Sequence, residues 1–248
     1  MTDKQLPITE HIGELRKRLI WCVMVILVST AVCFVFHQQI LSLLMAPAEG
    51  FSDITNNKPI YTDLTEFIGI AMKVSLLFGM LLASPFVLLQ IVRFVAPGLN
   101  RTEARYLYIL LPASLLAFSA GAFFGYYVLF PPAVKFLLSF GAEVATPYIR
   151  VGNYVNLIIT LLFWMGIVFE TPIVMFFLSK IGLVTSGFLA SKRRYAVVGA
   201  FILGAIITPT FDPVNQILVA LPIMVMYELG IWLAWLGGRG RTGVARYQ

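Results

Sequence analysis

The side chains of this sequence that could do chemistry are few and scattered. Glu14, Glu103, Glu170 and Glu228 stand in or beside long apolar runs. A carboxylate so placed can accept hydrogen bonds from a cationic ligand, hold a proton, or bond a neighbouring helix. Glu14 precedes Arg18 by four residues, the favourable order for a local helical ion pair. Exposed, such a pair is worth only about 0.3–0.5 kcal/mol. Glu103 is the single acid between Arg93 and Arg105; with Asn100 as a cap it could equally serve the first turn of a helix. Glu170 lies inside an apolar run just before Pro172, which should kink the helix or free a carbonyl. Intramembrane carboxylates are costly and turn towards protein or a water-filled cavity, so a bond to a neighbouring helix and a transport role both stand. Lys73 is near enough to the end of its run to snorkel. His11 and His37 have no nucleophile or metal ligand in reach by spacing. Cys22 and Cys33 are eleven residues apart on one run, about 16 Å and too far for a disulfide. The H-E-x-x-H, G-x-S-x-G and C-x-x-C patterns are all missing from the sequence, so neither an enzyme, a metal site nor a cofactor is expected.

The elements that must position these groups are membrane spans. Of 248 residues, 59% are hydrophobic and 12% charged, against about 25% charged in a soluble domain. Runs of about 20 apolar residues cross a hydrocarbon core of about 30 Å. Six are expected, at about 19–36, 68–95, 106–130, 154–178, 195–207 and 214–236. The fold class is therefore all-α and polytopic, one membrane-embedded domain over 1–248. Fourteen of the 18 Lys and Arg residues fall on one side of these runs and Lys58, Lys135 and Arg150 on the other, with Lys73 inside a span. The positive-inside rule then puts both termini in the cytoplasm. It also explains the net charge of +6 without nucleic acid. The first run exceeds the roughly 7–15 residues of a signal-peptide core, which favours a bacterial or organelle-encoded chain. Ahead of it, Ile8, Ile12, Leu15 and Leu19 share a helical face opposite Glu10, Glu14 and Lys17, predicting an amphipathic segment at about 8–18 on the membrane surface. Pro131 and Pro132 predict a sharp end to the third span. The fifth span reaches only about 20 Å, and the sixth is equally short if Glu228 marks the surface. Either the bilayer is thinned or partner-covered there, or the fifth helix extends into Lys192–Arg194.

Several segments together resemble the TatC family, the large subunit of the twin-arginine, Sec-independent protein translocase. His11-Ile12-Gly13-Glu14-Leu15-Arg16-Lys17-Arg18-Leu19 is similar to its N-terminal signature. Ser84-Pro85, then Phe94-Val95-Ala96-Pro97-Gly98-Leu99 with Glu103 and Arg105, resemble its first cytoplasmic loop. Phe124 to Pro131, Phe169-Glu170-Thr171-Pro172, Arg193-Arg194-Tyr195 and Thr208-Pro209 follow in the family's order. The resemblance implies a non-enzymatic receptor in the bacterial inner membrane that binds twin-arginine signal peptides of folded cargo. It further implies assembly with single-span TatA and TatB types, a homo-oligomer within the complex, and transport driven by the proton-motive force. It assigns signal-peptide binding to Glu14, Arg16, Leu19, Phe94 and Glu103, the intramembrane polar position to Glu170, and partner docking to Thr208 and Gln216. Pro47 and Asp212 are further positions it singles out, the latter in a last outer loop one residue longer than the family's usual spacing.

Physical chemistry agrees. Two adjacent guanidinium groups need anionic acceptors, and a carboxylate accepts a planar bidentate fork from Arg where Lys offers only a point charge. Glu14 and Glu103 are the acids available on an otherwise basic side. The rival expectation is a secondary transporter or proton channel using Glu170, Lys73 and Glu228 as relay groups. Against it, the two halves of the sequence lack paired helix breaks.

Overall fold

The protein was analysed as a computed structural model that describes residues 8–47, 60, 63, 65–95, 101–140, 149–208 and 212–238, with side chains for all of these except 8–11, 95 and 101–109. The described elements are α1 (Ile8–Val35), α2 (His37–Met45), α3 (Glu66–Val95), α4 (Arg101–Phe124), a π-helical turn (Gly125–Leu129), α5 (Phe130–Ser139), α6 (Val151–Lys180), α7 (Ser186–Ser191), α8 (Arg193–Ile207) and α9 (Pro213–Gly238). In hydrocarbon every backbone donor and acceptor must be satisfied within the segment, and a helix does this. Among the described residues, five helical stretches are long and apolar enough to cross a membrane: Ile12–Val35, Glu66–Phe94, Leu110–Ser139, Val151–Lys180 and Pro213–Gly238. The run expected as a fifth span is α8, whose 15 residues reach about 22 Å.

The expected amphipathic segment and the first span form one unbroken helix, α1. One local expectation is corrected. Pro131 and Pro132 do not end the third span. They occupy the first turn of α5, where a missing N–H costs nothing. The π turn before them lets Phe130 N–H bond Gly125 O, five residues back, and helix carries on to Ser139.

Helix α6 is the centre of the packing, against α3, α4, the π turn and α9, while α1 lies along α3 and α8 along α9. Val74, Phe130, Val155, Ile158, Leu161 and Met165 are buried in the main core. Lipid tails are as apolar as these side chains, so close contact rather than water exclusion holds the helices together. The tightest crossing joins α4 to α6. A Cβ at Gly121 would stand 2.3 Å from the Met165 carbonyl oxygen, and one at Gly166 2.5 Å from the Phe118 ring. Helix α6 ends in a Schellman cap. Gly182 takes φ 78°, its N–H bonds Ser179 O, and Leu183 N–H bonds Leu178 O.

At the end where α6 begins, one carboxylate joins distant segments. Glu66, the first residue of α3, accepts the Gly152 N–H at 2.7 Å and so caps α6 from another helix. Arg150 reaches Glu66 at 3.4 Å and the more exposed Asp63 at 3.3 Å. Ile60 pairs with Arg150 in a short parallel bridge, Ile60 N–H to Ile149 O and Val151 N–H to Ile60 O. The Glu66 side chain is only 8% exposed against 71% for Asp63. Glu66→Ala should therefore destabilise the fold by about 1.5–3 kcal/mol, what a hydrogen bond to a charged group contributes. Asp63→Ala should leave thermal unfolding in detergent unchanged. Equal midpoints for the two variants would show that the trans cap contributes nothing.

Candidate functional site

The end of the molecule that carries most of the described Lys and Arg residues is built where α1 starts and α3 finishes. Helix α1 is held against α3 there by Arg18. Its Nε donates to Glu14 Oε1 at 3.0 Å, its Nη2 pairs with the same oxygen, and its Nη1 donates to Gln90 Oε1 at 3.1 Å. The local Glu14–Arg18 pair is thus present, and it also reaches a second helix. Gln90 lies one turn before Phe94 on α3. This bridge ties Glu14 to α3 one turn before Phe94. Arg16 is exposed, Leu19 is 61% exposed, and Phe94 is half-buried. Glu103 belongs to the first turn of α4; its side chain, and Asn100 as its expected cap, lie outside the described residues. Gln90 was missed by sequence reasoning. Its signal was an amide inside an apolar run, one turn from a loop rich in expected binding residues.

Glu170 lies between helices, half-buried. Ser114 of α4, fully buried, donates to Glu170 Oε1 at 2.8 Å. Ser84 of α3, whose hydroxyl donates to Leu81 O, stands within reach of the same carboxylate. Helix α6 runs through Pro172 without interruption. Proline has no N–H, so the Val168 carbonyl lacks its intrahelical donor within one turn of Glu170.

The other expected groups have partners of their own. Lys73 is exposed, and its Nζ donates to Asn156 Oδ1 of α6 at 3.3 Å. Arg193 grips Glu228 with both Nε and Nη2, at 2.7 and 2.9 Å, which levels the start of α8 with Glu228. Helix α8 thus includes Arg193 and Arg194. Thr208 is buried and donates to Gly204 O at 2.9 Å; Gln216 Nε2 donates to Phe201 O at 2.9 Å. Gly204 permits that α8–α9 approach, since a Cβ there would meet Gln216 O at 2.9 Å. Beside Gln216, Val197, Val198, Phe201, Ile202 and Ile206 line an open apolar groove of about 510 Å³. Asp212 caps α9, accepting from Asn215 N–H at 2.7 Å and from its side-chain amide at 3.0 Å, with Pro213 at the first helical position. Pro47 closes the turn after α2, half-buried. Cys22 and Cys33 are both free thiols. Among the described residues no group of His, Cys, Asp and Glu could hold a metal ion.

A helical membrane protein with a polar carboxylate between its central helices and most of its described Lys and Arg residues at one end is what this geometry defines. Residues 10–222 match the profile of the Sec-independent protein translocase protein, TatC, and the chain belongs to that family. It is 38% identical over 244 residues to the Sec-independent protein translocase protein TatC of Aquifex aeolicus, covering 97% of this chain and 100% of that one. It is 33% identical to its counterpart from Carboxydothermus hydrogenoformans over 94% of this chain and 95% of the other. A crystal structure of the twin-arginine translocase receptor TatC superposes with a TM-score of 0.79 at 39% identity, over 92% of this chain and 99% of that one. A second structure of that receptor, in the detergent DDM, gives 0.80 at 38% identity. The chain is thus a multi-pass membrane subunit of a protein translocation system.

Proposed function

We propose that this subunit is the signal-peptide receptor of its translocase. It binds paired arginines of folded cargo on the cytoplasmic side, at a surface made of Glu14, Arg16, Leu19, Phe94 and Glu103. The observation that carries this reading is the Arg18 bridge, which fixes Glu14 beside the end of α3 at the base of the loop leading to Glu103. Glu14 and Glu103 receive the guanidinium pair, while exposed Leu19 and half-buried Phe94 offer apolar surface to the rest of the peptide. Arg16 helps keep this side cytoplasmic. Both termini share that side when α8 is counted as a short sixth span of the inner membrane. The test is a titration of the purified protein in detergent with a twin-arginine peptide and its twin-lysine counterpart. Preference for arginine by about tenfold, roughly 1.4 kcal/mol, is expected. Indifference between the two would overturn the receptor reading.

Docking of a TatA- or TatB-type helix belongs to the groove on α8 beside Gln216. Thr208 and Gln216 each donate to an α8 carbonyl; they fix the α8–α9 geometry that presents the groove, and the apolar lining supplies the contact. The surrounding complex contains further copies of this chain and uses the proton-motive force.

Glu170 lines a polar concavity used during transport. Thiol labelling of Glu170→Cys, made with Cys22 and Cys33 replaced by serine, should proceed with a water-soluble maleimide. Complete protection in both resting and transporting membranes would end that idea. A relay through Lys73, Glu170 and Glu228 is less well supported, because the three bond separate partners, Asn156, Ser114 and Arg193.

A further inference from the structure

The junction of α7 and α8 carries two cations with no ion pair among the described residues. Arg193 is held by Glu228, but its neighbours only meet rings. Lys192 Nζ lies 5.5 Å over the Phe188 ring and 5.4 Å over that of Tyr195, and Arg194 Cζ lies 5.3 Å over the Tyr195 ring. An aromatic face orients a cation without neutralising it. Both residues are exposed, and the one acid in α7, α8 or α9 is Glu228, already engaged. Ala190, two residues before Lys192 in the sequence, joins Ser186 and Gly187 of α7 and Ile231, Trp232 and Trp235 of α9 in lining an open, almost wholly apolar concavity of about 390 Å³. Trp232 and Trp235 are 70% and 47% exposed.

We propose that this is a binding site for an anionic phospholipid. The phosphate sits between Lys192 and Arg194, and an acyl chain enters the tryptophan-lined concavity. Charge complementarity selects the headgroup: two unpaired cations on one tyrosine ring match a single phosphate. Chemistry of the concavity selects a lipid over a free anion, because a soluble phosphate would leave the apolar wall unused. Tryptophan suits the depth, since its ring favours the boundary between headgroups and chains. Basic pockets between helices are a recurrent way to hold anionic lipid. Such a lipid would fix α7 against α9 at the level of the Arg193–Glu228 pair. The ligand and residues differ from those of the signal-peptide surface, so the two readings stand or fall separately.

The test uses the full chain with Trp21→Phe and Trp164→Phe, leaving Trp232 and Trp235 as reporters. In uncharged detergent it is titrated with phosphatidylglycerol or phosphatidylcholine brominated on the acyl chains. Phosphatidylglycerol should reach half-maximal quenching at a concentration lower by about fivefold or more. K192Q/R194Q should bring the two curves together, while Lys135→Gln, at the other end of the molecule, should leave them apart. Coincident curves in the parent protein, or a preference that survives K192Q/R194Q, overturn the site. Displacement of the brominated lipid by soluble glycerol phosphate overturns the lipid as ligand. If the double variant does not fold, the parent decides alone: the preference must vanish at roughly 1 M salt, where the screening length falls to about 3 Å, and its persistence rejects the site.

Discussion

Replacing Glu14 and Glu103 together with alanine is expected to weaken binding of a twin-arginine peptide by about a hundredfold. Each carboxylate supplies a charge-assisted hydrogen bond worth about 1.5–3 kcal/mol, and two lost at the lower figure make about 3 kcal/mol. Single replacements should each cost about tenfold. The twin-lysine peptide starts weaker and should lose less, because an ammonium group cannot use a carboxylate bidentately. Asp63→Ala, a charge change at the opposite end of the molecule, controls for non-specific electrostatics and should change nothing. Glu14→Ala frees Arg18 from its acid while leaving the bond to Gln90, so α1 should stay in place. Arg18→Ala removes both bonds and should weaken peptide binding through loss of geometry. If the double variant binds like wild type, the acids are helix-start charges and the receptor surface lies elsewhere.

Gly121→Leu should have the largest effect on the fold itself. The new Cβ would stand 2.3 Å from Met165 O and 2.7 Å from Met165 C. These are backbone atoms, so no rotamer change relieves the clash and α4 must part from α6. Overpacking typically costs about 1–3 kcal/mol, occasionally more, and a collision with main chain belongs at or above the top of that range. The same crossing holds Ser114 against Glu170, so any folded remainder should also lose that bond. Little detergent-soluble, monodisperse protein is expected. Gly199→Ala is the control, since nothing lies within 4 Å of its Cβ. A Gly121→Leu protein that unfolds at the wild-type temperature would mean that the close crossing is not present in the membrane.

The α1–α3 bridge and the Glu66 cap show where sequence reading stops. The spans were legible because hydrocarbon forces each crossing segment to be an apolar helix, a local property of roughly 20 residues. Glu14 and Glu170 stood out because acids in apolar surroundings are costly. The pair Glu14–Arg18 was legible because both groups lie on one helix, four residues apart. Gln90 was not, because its partner is 72 residues away, and nothing in an amide between leucine and isoleucine names Arg18. Glu66 capping α6 over 86 residues is the same case. The prolines at 131 and 132 misled through a local rule: proline ends a helix unless the preceding turn rearranges, and here the π turn did so. Thr208 and Gln216 were singled out by resemblance, and the tertiary structure adds that each donates to an α8 carbonyl, Gly204 O and Phe201 O. The sequence by itself determined that the chain is helical and membrane-embedded, how its Lys and Arg residues divide between the apolar runs, and which acids are out of place. Only the tertiary structure decided which helices touch and which polar groups find each other. Those choices depend on surfaces from distant parts of the chain meeting at a fixed register, and no local pattern encodes that register.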